Sequence, residues 1–196
     1  MLDPSPHPHA NLEGRLVLAT PSLSDGIFDK SVILVADHSE TDGAFGLILN
    51  HPAGQRVGDL LKDDAFSALA NVQVHIGGPV SRGHMTFAAF WEDEDRFRYA
   101  TRISAEQAVD HVHQPGTLVR AFVGYTGWSK DQLEDEIDQE SWVITSYFDK
   151  EHELATRALE ELGAVQVGSI INPNSRALSD APGKSVDKHL AVFKKL

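Results

Sequence analysis

The chain has 196 residues, 41% of them hydrophobic and 23% charged, so one globular domain can bury a core without disulfide or metal staples. Its 17 Lys and Arg against 29 Asp and Glu give a net charge of −12, which repels a duplex and argues against direct contact with nucleic acid. Cysteine is absent, which removes disulfides, thiolate nucleophiles and Cys-ligated metal sites.

Residues 1–13 hold three prolines, two histidines and no apolar run, and read as a mobile tail. This start lacks the basic and apolar stretches of a signal peptide. The longest apolar runs, 32–36 and 87–91, fall far short of the ~20 residues that span a bilayer. The expected location is therefore cytoplasmic, with no membrane partner. Residues 15–19 (RLVLA) and 31–37 (SVILVAD) are apolar and β-branched, the pattern of buried strands, with a polar loop over 20–30 between them. Residues 44–50 (AFGLILN) form a third strand, and Pro52, which has no N–H to donate, is expected to end pairing there. A weak helical pattern covers 57–70, and strands over 72–76 and 85–91 flank a loop over 77–83.

Ser104-x-x-Gln107 has capping-box spacing, so a helix starts there and runs to the breaker Gln114-Pro115-Gly116. A strand over 118–124 follows. Ser129-x-x-Gln132 is a second capping-box candidate, opening an acidic helix that runs to about Glu140, and 142–146 is a strand. Leu154, Ala155, Ala158, Leu159 and Leu162 make one apolar stripe on a helix over 149–162, stopped by Gly163. Val186, Leu190 and Phe193 suit a short terminal helix or tail over 185–196. The elements run mostly strands first without βαβ alternation, which favours an α+β fold, with 14–184 as one domain.

Three loops are dense in turn residues: Asn50-His51-Pro52, Gly77-Gly78-Pro79-Val80 and Gly124-Tyr125-Thr126-Gly127-Trp128. Gly77-Gly78 follows a strand and could form an anion-binding nest, although no helix with Lys-Ser/Thr follows, so it is no P-loop. The plainer reading is a tight turn fixed by Pro79. Ser31 and Ser81 lack the Gly-x-Ser-x-Gly setting of a nucleophile. The ten histidines, including Asp37-His38, His51, His75 and His111-x-His113, show no metal-ligand spacing and read as surface or satisfied core residues. The run Asp131, Glu134, Asp135, Glu136, Asp138 reads as a solvated helix face opposite Leu133 and Ile137. The run Glu92-Asp-Glu-Asp95 reads as an exposed hairpin-like loop, and Trp128 and Trp142 as core anchors.

Four stretches in this order resemble the YqgE/AlgH family over roughly residues 12–150. They are GRLVLATPSLSDGIF (14–28) continuing to SVILVADH (31–38), GAFGLILN (43–50), GGPV (77–80), and GYTGWSKDQLEDEI (124–137) followed by Trp142. The resemblance implies a bifurcated, mixed sheet curled toward a pseudo-barrel with helices packed on it. It also implies a bacterial protein without an assigned activity, one branch being labelled a transcriptional regulator. It carries over no catalytic residue. The expected function is a non-catalytic binding or regulatory role through a protein partner or small ligand, with no cofactor and no metal. The alternatives are an enzyme with an unrecognised site at the glycine loops, and a transcription-linked regulator that does not touch DNA. The candidate binding residues are Asn50, Gly77, Gly78, Pro79, Gly124, Gly127 and Trp128. They are expected to line one shallow pocket, with the glycine amides holding an anionic or carbonyl group and Trp128 as an apolar wall.

Overall fold

The computed structural model describes residues 11–24, 26–93 and 96–145. The expected tail over 1–10, the helix over 149–162 and the termini beyond it lie outside these residues. The strands are β1 (Leu16–Ala19), β2 (Val32–Ser39), β3 (Gly43–Ile48), β4 (Pro52–Arg56), β5 (Gln73–Ile76), β6 (Val80–Asp93), β7 (Arg96–Ile103), β8 (Leu118–Trp128) and β9 (Trp142–Thr145). The helices are α1 (Val57–Leu60), α2 (Ala105–Val112) and α3 (Gln132–Asp138).

The sheet runs β4-β5-β8-β3-β2-β1-β9, with β6 branching from β8 to pair with β7. Among the described strands only β5 and β8 run parallel to each other. This is an α+β fold in which a mixed sheet curls into a half-barrel. The fork lies in β8. Its first half pairs with β5 and β6, and its end pairs with β3 through Gly46↔Thr126, Phe45↔Gly127 and Ala44↔Trp128. Gly124, at φ +71, is the bend between the two halves.

Three apolar clusters follow from this curl. Leu16, Leu18, Val32, Leu34, Leu47, Leu49, Phe90 and Phe122 fill the concave side. Val57, Leu69, Val74, Phe87 and Ala108 pack one convex side beneath α1 and α2. Val17, Ile33, Val35, Ile48, Trp128, Leu133 and Trp142 pack the other beneath α3. Alternation along each strand assigns its residues to these layers, as a pleat with both faces covered requires.

β2 breaks this alternation once. Val35 pairs with Gly46 and Asp37 with Phe45, so Ala36 is a bulged extra residue. The shift puts Asp37 on the concave side beside Phe45 and turns His38 toward α3.

Several elements differ from the sequence reading. β3 ends at Ile48, and Pro52, expected to end pairing, instead opens β4 in register with His75, because the first residue of an edge strand needs no N–H donor. β7 was not anticipated, since its charged and aromatic residues alternate without an apolar run. β6 reaches back to Val80, so the loop expected over 77–83 is shorter, with a register irregularity between Val80 and Met85. The expected turn Gly124–Trp128 is the end of β8, with its glycines bending the strand rather than stopping it. The pattern over 57–70 splits into one α-helical turn and a 3-10 segment over Asp64–Leu69. Leu12, assigned to the tail, is buried, and its N–H donates to His38 Nδ1 at 3.0 Å.

The capping box at Ser104 forms as read: Ser104 Oγ accepts from the Gln107 N–H, and Gln107 Oε1 accepts from the Ser104 N–H. At Ser129 only half of it forms. The Ser129 N–H and hydroxyl both donate to Gln132 Oε1, and left-handed Asp131 precedes the helix instead.

Candidate functional site

The two glycine segments do meet. The Gly77 N–H donates to the Val123 carbonyl, the Ile48 N–H donates to the Gly77 carbonyl, and the Thr126 hydroxyl donates to the same carbonyl at 3.3 Å. A Cβ on Gly77 would sit 2.3 Å from the Gly124 carbonyl oxygen, and one on Gly78 would sit 2.2 Å from the Tyr125 carbonyl carbon. The glycines let two backbones cross in contact, and the N–H and carbonyl of Gly77 are committed to neighbouring strands.

Asn50 and Trp128 are placed differently from each other. Asn50 Oδ1 accepts from the Val32 N–H, and its Nδ2 donates to the Lys30 carbonyl, so it ties the end of β3 to the start of β2. Trp128 is buried on the convex side, edge-on to Trp142 at 6.1 Å, whereas Gly127 faces the concave side.

The acidic run does not face solvent throughout. Glu136 Oε2 accepts from both indoles, Trp128 Nε1 at 2.9 Å and Trp142 Nε1 at 2.7 Å, while its Oε1 accepts from Gln132 Nε2. Glu134 Oε1 accepts from His38 Nε2 at 2.7 Å. Because His38 Nδ1 accepts from Leu12, the ring proton sits on Nε2. Two carboxylates thus dock α3, and only Asp131, Asp135 and Asp138 of the run stay exposed. The indole and imidazole N–H groups need acceptors when buried, and that need outweighs the charge pattern.

What the concave rim exposes is an aromatic–cation row that the sequence reading missed. Asp37, Phe45 and Gly127 lie in register across β2, β3 and β8, and Tyr125 pairs with Val80 beside them. The Phe45 and Tyr125 rings are 5.2 Å apart. The Arg102 guanidinium lies 4.6 Å over the Phe45 ring and donates to Asp37 Oδ2 at 3.1 Å. Phe45 and Tyr125 are half-buried, and Arg102, Pro79, Val80 and Gly127 are exposed. The signal for this row was the alternating RFRYATRI of β7, which supplies Arg102 from an element not foreseen.

Farther along β8 the concave side holds a second polar group. His75 is fully buried, with both ring nitrogens unpartnered among the described residues, and its ring lies 5.7 Å from Phe122. Burial, then the positive charge of Arg120, pushes its pKa down to about 3, with His51 adding to the fall. The Gln73 carbonyl pulls the other way but lies outside hydrogen-bond geometry. Arg120 is itself pushed down to about 10 by burial.

His75 gives a pH prediction. Its folded pKa lies below the ordinary 6.5, so only the unfolded chain takes up the proton between these values. Stability is full above pH 6.5 and falls as pH drops toward 3, by about 1.4 kcal/mol per unit within the window. Urea unfolding at pH 7 and pH 5 should differ by about 2 kcal/mol from this residue, and His75→Phe should remove that part. An identical pH profile in the variant would contradict the assignment.

Among the described residues no group of three His, Asp or Glu side chains is arranged to hold a metal ion. No described helix is long and apolar enough to cross a membrane.

An AlgH-like family model matches residues 16–163. A UPF0301 protein of Shewanella denitrificans is 35% identical over 171 residues, covering 78% of this chain and 92% of its own. The chain belongs to the YqgE/AlgH family. A UPF0301 protein of Streptomyces coelicolor is 34% identical, covering 69% of this chain and 75% of its own. The solution structure of AlgH from Pseudomonas aeruginosa shares the fold, with a TM-score of 0.55 at 23% identity, covering 91% of this chain and all of that one. A crystal structure of a Corynebacterium diphtheriae protein does likewise, with a TM-score of 0.56 at 18% identity over 80% of this chain and 89% of that one. The stretches that carried the YqgE/AlgH resemblance are largely those that build the fork: β1, β2, β3, the Gly77 crossing, and the end of β8 with α3.

Proposed function

We propose that this YqgE/AlgH protein is a non-catalytic binding or regulatory protein that engages a protein partner through the concave rim. The observation that carries the reading is the half-exposed row of Tyr125, Phe45 and Arg102 on a rigid sheet. Aromatic side chains and arginine are the groups that anchor protein interfaces, because they bury much area for few rotatable bonds. The glycine crossing supports the row from beneath: Gly77, Gly78 and Gly124 hold β6 and β8 together, while Pro79 and Gly127 flank the rings at the surface. Asn50 and Trp128 contribute by fixing the neighbouring strands. This reading requires no cofactor, and the net charge of −12 favours a partner other than nucleic acid.

The test is partner capture with two exposed-site variants. Arg102→Ala removes the cation over Phe45, and Gly127→Lys lays a long side chain beside Tyr125. Each is expected to weaken binding of a captured partner at least ~10-fold, as loss of an interface anchor does. The unfolding midpoint should stay within ~3 °C, since neither residue is in the core. Undiminished capture by both variants would remove this face from the function.

A further inference from the structure

We propose that the interior of the half-barrel carries a receptor for a small monocarboxylate anion, formed by Arg120 and His75. This lies on the first half of β8, away from the rim face, and does not depend on the reading above.

The placement follows from alternation. On β8, Val119 and Ala121 belong to the convex cluster beneath α2, so Arg120 between them points to the concave side. On β5, Val74 and Ile76 belong to that same cluster, so His75 also points inward. His75 pairs with Phe122, and Arg120 lies two residues before Phe122 on one face, which makes His75 and Arg120 diagonal neighbours. Arg120 is opposite Ala88, whose small side chain lies on the same face.

Both groups have unmet hydrogen-bonding capacity. Arg120 Nη1 donates to the carbonyl of its own neighbour Val119, but its buried Nε–H has no partner among the described residues. His75 has none at either nitrogen. A buried polar group without a partner destabilises the fold and a desolvated charge does so more, so such groups are ordinarily matched. Among the described residues no carboxylate pairs with Arg120, although acidic residues outnumber basic ones 29 to 17 in the whole chain.

The donors define the ligand class. The Arg120 Nε–H and one imidazole N–H suit the two oxygens of a carboxylate. A phosphate offers more acceptor atoms than these two donors can meet. The walls around them are Phe122, Phe90 and Ala88, which suit a short hydrocarbon tail. Bound there, the anion supplies the counter-charge that Arg120 lacks and accepts a hydrogen bond from the neutral imidazole N–H of His75.

The experiment uses the full chain at pH 7 with sodium propionate as probe, against sodium chloride at equal ionic strength. Propionate at tens of millimolar is expected to raise the unfolding midpoint by ~5 °C, as a millimolar binder of the native state does. The His75 ring carbon-bound proton signals should shift saturably in the same titration. Both responses should disappear in Arg120→Met, and the midpoint response in His75→Phe. If these variants fail to fold, the His75 ring titration of the unaltered protein decides alone. No saturable shift, or an equal response in a folded Arg120→Met, overturns the proposal. Stabilisation by inorganic phosphate but not by propionate overturns the carboxylate assignment.

Discussion

Glu136→Ala should lower the unfolding free energy by about 3 kcal/mol or more, because it leaves two buried indole N–H groups without an acceptor. Hydrogen bonds to a charged acceptor contribute about 1.5–3 kcal/mol each, and orphaning the donor is costlier than removing both partners. The loss falls on three elements at once, since Trp128 ends β8, Trp142 opens β9 and Glu136 lies on α3. Glu136→Gln keeps one carbonyl oxygen with two lone pairs and should cost markedly less. Urea unfolding of both variants, with tryptophan emission followed in the native state, checks this. If Glu136→Ala shifts stability by less than about 1 kcal/mol, the indoles have another acceptor and the clamp is incidental.

Gly124→Ala should be more damaging still. Gly124 sits at φ +71, where a side chain is strained by roughly 1–2 kcal/mol. Its added Cβ would also stand 2.5 Å from the Gly78 carbonyl oxygen and 2.8 Å from that of Val80, both backbone atoms of the crossing strand. Backbone cannot step aside without breaking the fork, so we expect a loss of at least about 4 kcal/mol, or no soluble folded protein. Gly83→Ala is the matched control: its Cβ meets nothing within 4 Å and its φ is not in the left-handed region. That substitution should be neutral or stabilising by up to about 1 kcal/mol. Comparable thermal midpoints for the two variants would mean the crossing is looser than described.

These residues also show what a sequence can and cannot convey. The runs LVLA (16–19) and VILVA (32–36) are apolar throughout because both faces of β1 and β2 are covered, and such runs are read directly. The α2 cap is legible because its two hydrogen bonds join residues three apart. Gly124 was legible as a bend but not as a bend within a strand, since the clash that requires glycine comes from residues 78 and 80. Glu134 and Glu136 were misread for a related reason. Their partners are His38, Trp128 and Trp142, and apolar periodicity does not register a donor that needs an acceptor. The rim row draws on β2, β3, β7 and β8, and Arg102 meets Phe45 across 57 positions, as the difference between these numbers gives. His75 and Arg120 each sit in an apolar run whose alternation could have exposed them, had the strand been recognised as covered on both sides.

The extra residue at Ala36 works as a switch of address. Flattening this bulge with Ala36 retained would pair Ala36 with Phe45, restore strict alternation in β2 and exchange the destinations of the two residues that follow. Asp37 would then face Glu134, two carboxylates where an imidazole now bridges, and Leu12 would lose the ring nitrogen that anchors its segment. His38 would be carried to the rim in place of the carboxylate that now holds Arg102 over Phe45. The loss of one bulge in the middle of a strand would thus unmoor the N-terminal segment, repel a helix on one side of the sheet and disarm the surface on the other.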